Sequence, residues 1–399
     1  MGRQRSGYPV SAHDELDADA REFLAVVNDF CQSRVAPRAQ EIDLTGEFFP
    51  DLLAEAAALG LQGLIFSEDG KIDPAMFALA HETTELIASY SGAVALGISI
   101  ARLHGYLLAA YAPSEIRDRW LPGLMDGTIR GAFALSEPHS GTDIRAGRTV
   151  ATTIDADTVS ITGEKAWITQ SPAAHFCIVL AKLESADRDA PTAAFVVPLD
   201  HEGVTVGKDE PMSGFRGMPM ANVHFDGARL PSTARLHVDG FRGMLEGLNL
   251  ARLDAGCYGV GFIRAALRET STYVRDREAF GKTLGDLQIV QEKLGHMHAD
   301  YLAARGLLRS GVESFAAGGG GDAHLISAAK MFASDAAMRH TTEAVQLHGG
   351  YGVHLHYPVQ RLMRDAKITQ IIDGTSEIHA LMLGRAAARA DWSLIDIHA

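Results

Sequence analysis

Between Asp14 and about Gly131 the apolar residues recur at steps of three and four. Leu16, Phe23, Leu24, Val27 and Phe30 mark one helical run. Pro37 predicts its end, because proline lacks an N–H and its ring collides with the preceding turn. Leu52, Leu53, Ala56 and Leu59 mark a second run, closed by Gly60 as a C-terminal cap, and Met76, Phe77 and Ala80 a third. Ser114 reads as the N-cap of a helix carrying Ile116 and Trp120. The charge-free stretch between Glu85 and Arg102 is shorter than the about 20 residues that cross a bilayer, and Ser89, Tyr90 and Ser91 interrupt it. It predicts a buried helix pair, so residues 1–130 are expected to form an all-helical domain.

The pattern then shortens to period two and to β-branched runs at 133–136, 150–154, 159–161, 176–180, 194–197, 204–206 and 223–225. Short strands separated by Gly, Pro and Asp predict a β-barrel or sandwich over 131–238. Helical spacing returns after Gly240. One long helix carries Leu248, Leu253, Val260, Phe262, Ile263 and Leu267, a second follows Gln288, a third follows the Gly318–Gly321 linker, and a last spans about Ser376–Ala388. Residues 239–399 are thus expected to form a four-helix bundle, and the chain an α+β fold in three domains.

Composition narrows the class. At 399 residues the chain is long enough for about 2.7 ordinary domains. With 36 Lys+Arg against 50 Asp+Glu, a net charge of −14, and no basic run, neither nucleic acid nor an anionic membrane is expected as a partner. Cys31, Cys177 and Cys257 are odd in number, far apart and free of Cys/His ligand spacing, so no disulfide framework or metal site is expected. Met1–Ser6 lacks an apolar signal region. These features predict a cytoplasmic protein.

Five segments could carry chemistry. Ala132–Asp143 (AFALSEPHSGTD) joins a strand to a polar glycine-containing turn, which offers main-chain N–H groups to a polar ligand or simply enters the next domain. Trp167-Ile168-Thr169 sets an aromatic and a hydroxyl on one strand face, and reads equally as a core Trp beside a solvated Thr. Asn249 and Arg252 open a long helix, while Arg277, Phe280, Gly281 and Gln288 lie where it gives way to the next; cations near helix ends commonly just complement the dipole. Gln346-Leu-His-Gly349-Gly350 lacks both a preceding strand and the phosphate-loop spacing. Asp373, before Gly374-Thr375 and the last helix, is a candidate base or a helix cap.

Taken together and in this order, the segments resemble the acyl-CoA dehydrogenase family over about residues 15–388. The family's Ser/Thr-Glu-Pro-x-x-Gly-Ser/Thr-Asp looks like Ser136–Asp143, and its Trp-Ile-Thr looks like Trp167–Thr169. Its Arg-x-x-Phe-Gly with a following Gln is similar to Arg277, Phe280, Gly281 and Gln288, and its Gln-x-x-Gly-Gly to Gln346, Gly349 and Gly350. Its Arg-Asp…Ile-x-x-Gly-Thr is similar to Arg364, Asp365, Ile371, Gly374 and Thr375.

The resemblance implies a homotetramer, a dimer of dimers, that binds FAD. By residue match, Phe133, Leu135, Ser136, Thr142, Trp167, Ile168, Thr169, Thr375 and Glu377 would surround the cofactor. Arg277, Phe280, Gln288, Gln346, Gly349 and Gly350 would reach FAD held mainly by a neighbouring subunit, and Thr142, Asn249, Arg252 and Gly374 would meet the thioester substrate. The implied reaction is α,β-dehydrogenation of an acyl-CoA, or of an acyl group on a carrier protein, with electrons passing to an electron-transfer flavoprotein. Where most of the family has Glu as the base this sequence has Asp373, and where a minority places a Glu on the long helix it has Ala251. The segment Phe66-Ser-Glu-Asp-Gly70 also departs from the family's longer glycine-rich loop. A flavin monooxygenase and a redox-silent flavin scaffold on the same fold are the competing readings.

Overall fold

The Asp17 carboxylate accepts the Ala20 N–H at 2.8 Å and so starts α1 (Ala18–Phe30). The computed structural model describes residues 17–66 and 72–390; Leu16, the segment Met1–Ser6 and residues 67–70 lie outside the described residues. Pro37 does not end the first helix as its ring predicts. The chain passes through one π-helical turn, Cys31–Val35, and Pro37 falls in the first turn of α2 (Ala36–Thr45), where its missing N–H has no intrahelical partner to lose. Gly46, in the left-handed conformation at φ 74°, closes α2.

Next come α3 (Pro50–Ala58), α4 (Pro74–Ala88), α5 (Gly92–Tyr111) and α6 (Ser114–Met125). Ser114 is the first residue of α6 rather than its cap; Pro113 occupies the cap position without a side-chain bond. Asp73 and Ser91 cap α4 and α5 as acceptors. Although α5 is long and apolar enough to cross a membrane, it runs through the core, with Val94, Ile98, Leu107 and Leu108 buried.

Seven strands follow, β1 (Gly131–Ala134), β2 (Val150–Thr153), β3 (Thr158–Thr169), β4 (Phe176–Leu183), β5 (Thr192–Pro198), β6 (Val204–Val206) and β7 (Met220–Pro231). They make one curled sheet in the order β1-β4-β2-β3-β7-β6, with β5 antiparallel to β4. Strand alternation explains its two cores. Phe176, Ile178 and Leu180 of β4 face the helices, while Cys177, Val179 and Ala181 face an interior shared with Val197, Val223 and Phe225.

The C-terminal part consists of α7 (Gly240–Asp276), α8 (Gln288–Ala316), α9 (Ala323–His348), α10 (Pro358–Thr369) and α11 (Ser376–Ala387). The helix α10, absent from the periodicity reading, completes the bundle, and a short hairpin of β8 (Glu278–Ala279) and β9 (Lys282–Thr283) joins α7 to α8. Helix α7 is seated on its neighbours through glycines. A Cβ on Gly259 would lie 2.8 Å from Ala333 O, and one on Gly261 2.6 Å from Glu85 O.

Candidate active site

The carbonyls and side chains around Asp373 come together from four elements. Asp373 (φ 56°) and Gly374 (φ 101°) make a left-handed turn between α10 and α11, a conformation Asp adopts far more readily than most residues. Arg252 Nε, from α7, donates to Asp373 O at 3.0 Å, and its Nη1 donates to Asn249 Oδ1 at 2.8 Å. Asn249 Nδ2 in turn donates to Gly320 O at 3.0 Å, so the glycine linker anchors the same cluster. Of the residues that the resemblance assigns to base and substrate, these bonds bring Asn249, Arg252, Asp373 and Gly374 together, whereas Thr142 lies on the β-domain turn.

Asp373 does not cap α11. Thr375 holds the N-cap position, without a side-chain cap bond of its own. Burial pushes the Asp373 carboxyl upward, opposed by the Lys330 ammonium and the Arg252 guanidinium. A carboxylate poised in this way suits proton abstraction. Two residues further along α7, Asp254 is buried beside Arg102, with Arg102 Nη2 3.4 Å from its Oδ1. Burial raises it to about 7, Arg102 opposing and Asp373 adding to the rise.

The β-domain residues form a second group. Phe133 lies on β1 and packs, with Leu135, against the helical core, while Ser136 O accepts the Ala166 N–H at 2.9 Å. Trp167 stands 59% exposed at φ 62°, at an irregularity in the β3–β7 register, between buried Ala166 and buried Ile168; Thr169 is half-buried. Strain combined with display of a large aromatic makes Trp167 a candidate for holding a ligand. Ile168 is 1% exposed and packs into the sheet's inner core, so only its main chain is available to a ligand. Thr142 lies on the exposed turn.

That turn is fixed from beneath. Glu137 accepts the N–H groups of Arg148 (2.6 Å) and Thr149 (3.0 Å), and its carboxylate pairs with buried Lys165 at 2.8 Å. A cleft of about 230 Å³ opens beside it, lined by Arg145, Lys182, Arg188 and Phe241. The Arg145 guanidinium lies 4.7 Å from the Phe241 ring centroid.

The third group lies at the far end of α7. Phe280 (φ 56°) and Gly281 (φ 78°) make the tight turn of the β8–β9 hairpin, leaving Phe280 92% exposed. Gln288 begins α8, and the Arg277 guanidinium sits 6.0 Å from the Tyr351 ring, beside the Gln346–Gly350 end of α9. At about 1.5 Å per residue this group is about 37 Å along α7 from Arg252. Thr375 and Glu377, at the start of α11, stay with Asp373.

Sequence reading missed three polar groups here. Lys330 Nζ donates to Gly374 O at 2.7 Å, and His379 is fully buried with neither ring nitrogen bonded. Asp254 is the third. The signal for Lys330 was its place on the apolar stripe Ile326, Ala329, Ala333 of α9, all buried.

Known proteins resemble this chain in sequence and in fold. The models of the acyl-CoA dehydrogenase N-terminal, middle and C-terminal domains match residues 17–128, 132–228 and 238–388. A short-chain-specific acyl-CoA dehydrogenase of Megasphaera elsdenii is 33% identical over 380 residues, 92% of this chain and 98% of that protein. The butyryl-CoA dehydrogenase structure from that organism superposes with a TM-score of 0.88 at 32% identity, covering 94% of this chain and 99% of that one. A chain from a structure described as the electron transferring flavoprotein of Acidaminococcus fermentans is 28% identical, with a TM-score of 0.87 and coverage of 94% and 99%. A glutaryl-CoA dehydrogenase of Mycobacterium smegmatis in complex with FADH2 is 26% identical, with a TM-score of 0.87 and coverage of 96% and 98%.

Proposed function

Because this chain belongs to the acyl-CoA dehydrogenase family of FAD-dependent oxidoreductases, we propose that Asp373 removes the α-proton of an acyl-CoA during its α,β-dehydrogenation. The observation that carries this reading is the desolvated Asp373 carboxyl, the in-register acid of the Gly-Thr turn, held through its main chain by Arg252. General base catalysis needs such an acid, deprotonated yet basic near the working pH.

The residues present fit FAD. Trp167 offers an aromatic face, Ser136, Thr142 and Thr169 offer hydroxyls, and the uncapped start of α11 at Thr375 and Glu377 offers N–H groups. When bound, FAD supplies the acceptor for the β-hydrogen, as hydride. Phe133, Leu135 and the Ile168 main chain complete that side. Asn249 and Arg252 fix the turn from which Asp373 acts, and Thr142 and Gly374 would border the thioester.

Two finer features follow. The acidic chain, at a net charge of −14, disfavours an acidic carrier protein as the donor of the acyl group and so favours CoA. Arg277, Phe280, Gln288, Gln346, Gly349 and Gly350, about 37 Å along α7 from Arg252, are placed to serve a second copy's FAD in a homotetramer. The electrons then pass to an electron-transfer flavoprotein, and the three buried free cysteines accord with a reducing cytoplasm.

The test is anaerobic mixing with a panel of acyl-CoA thioesters while the flavin absorbance is followed. The wild type is expected to bleach. Asp373→Asn is expected to stay yellow and bind the thioester yet bleach about 10²- to 10⁴-fold more slowly. Bleaching of Asp373→Asn at the wild-type rate would overturn the assignment. NAD(P)H-dependent reduction without thioester bleaching would point to a monooxygenase instead.

A further inference from the structure

Three cationic or imidazole side chains from three helices close on the Asp373–Gly374 turn. Arg252 of α7 binds Asp373 O, Lys330 of α9 binds Gly374 O at 2.7 Å, and the His379 ring of α11 lies where a Gly374 Cβ would come within 3.1 Å of Nε2. Lys330 is 0% exposed. An ammonium removed from water needs an anion as well as a carbonyl. The other nearby carboxylate on α9, Asp335, is engaged by Gln370 Nε2 (2.7 Å) and Ser376 Oγ (2.8 Å). Among the described residues, the Asp373 carboxylate has no ion pair of its own.

We propose that Lys330 is a positioning residue for the reaction, fixing the turn through Gly374 O while its charge favours the anionic form of Asp373. The inference rests on the reading of Asp373 as the base. It goes beyond that reading by making a group that touches neither substrate nor cofactor set the pH range in which the base works.

The groups facing Asp373 are Lys330 from α9, Arg252 and Asp254 from α7, and His379 from α11, while Asp335 of α9 and Glu377 of α11 act on Lys330. Arg102 from α5 and His81 from α4 stand behind Asp254, and Tyr258 of α7 is also near. Burial raises Asp373, and of the groups that lower it Lys330 acts most strongly. Burial pulls Lys330 itself down to about 8, with Asp373 opposing. His379 is pulled down to about 3 by burial and by Lys330 and Arg252, so it is neutral at working pH. The sign follows. A base works as its anion, so removing the Lys330 charge must move the rising limb of the pH profile to higher pH.

The experiment uses FAD-loaded Lys330→Gln, which keeps a donor for Gly374 O but loses the charge, together with Lys330→Met and Lys330→Arg. Two readouts are taken over about pH 5.5–10, a range that lies between the ordinary pKa values of Asp and Lys, about 3.9 and 10.4. One is flavin bleaching by butanoyl-CoA. The other is exchange of the α-hydrogens of phenylacetyl-CoA into D2O, which needs a base but no hydride acceptor, since that acyl group has no β-hydrogen. Lys330→Gln and Lys330→Met are expected to raise both midpoints by about one unit or more, which is about a tenfold loss at neutral pH, and Lys330→Arg to restore most of it. An unchanged midpoint with a uniform loss of rate in Lys330→Gln, Asp373→Asn being inert, would overturn this proposal alone. Wild-type exchange in Asp373→Asn would overturn the base assignment and this proposal with it. If Lys330→Gln and Lys330→Met do not fold, a midpoint in Lys330→Arg displaced as far as full loss of charge would require also counts against it.

Discussion

Glu137 holds the turn that carries Ser136 and Thr142, and its environment fixes its charge. Burial alone would raise it, but the Lys165 ammonium and the N–H groups of Arg148 and Thr149 bring it down to about 2. A carboxyl whose folded pKa lies below its unfolded value near 4.5 adds stability above about pH 4.5 and loses it as the pH falls toward 2. Glu137→Gln leaves Lys165 as a buried ammonium without its counter-charge, a change that costs about 3–5 kcal/mol. A lower thermal midpoint for Glu137→Gln at pH 7 is therefore expected, with the gap to wild type narrowing as the pH drops below 4.5. A gap independent of pH would show that the pair is not what holds the turn. The Trp167 side chain should lose its order with it, since Ser136 O and Leu135 O bind Ala166 N and Lys165 Nζ next to it.

At the scale of elements, the β8–β9 hairpin spends conformational strain on presenting one ring. A two-residue turn of this hand needs positive φ at both positions, which Gly281 adopts freely and Phe280 does not. Phe280→Gly is expected to relax the turn, leaving the fold intact, while lowering FAD content and, given the proposed homotetramer, shifting the assembly toward smaller species. Size-exclusion chromatography read at the flavin band checks this, and a fully yellow, unaltered assembly would refute it. The same scale shows what the sequence made legible. Strands β3 and β7 and helix α3 follow a period of two or of three to four because one face of each meets an apolar core, whereas β4 and β5, buried on both faces, stand out as continuous apolar runs. Helix α10 escaped because it is short and its buried face carries Gln360, Arg361 and Asp365 alongside Val359 and Leu362, so charged residues mask the apolar stripe that runs along it. Pro37 misled because the π-helical turn before it absorbs the break. Lys330 and Asp254 escaped for the reverse reason, as charged residues sitting in apolar stripes whose partners arrive from other helices.

For the whole molecule, the decisive contact is where the three domains meet. Arg364 of α10 binds both carboxylate oxygens of buried Asp43 on α2 and also donates to Ser213 O, while Asp365 accepts the Phe215 N–H at 2.7 Å. Residues 213–216 of the β domain are thus clamped between the first and last domains. Arg364→Leu strands the Asp43 charge in a buried position, which costs about 3–5 kcal/mol, and calorimetry is expected to resolve separate transitions where the wild type shows one. A single transition in the variant would mean that other contacts carry the coupling. Helix α7 ties the molecule together in a different way. It bears Asn249 and Arg252 near one end and leads into Arg277 at the other, and Gly259 and Gly261 leave it no room to slide. Each residue inserted between those ends would advance one by about 1.5 Å and turn it by about 100° relative to the other. A gene encoding this fold therefore cannot drift in length within α7. There, an insertion or deletion would put the Asn249–Arg252 end out of phase with the Arg277 end.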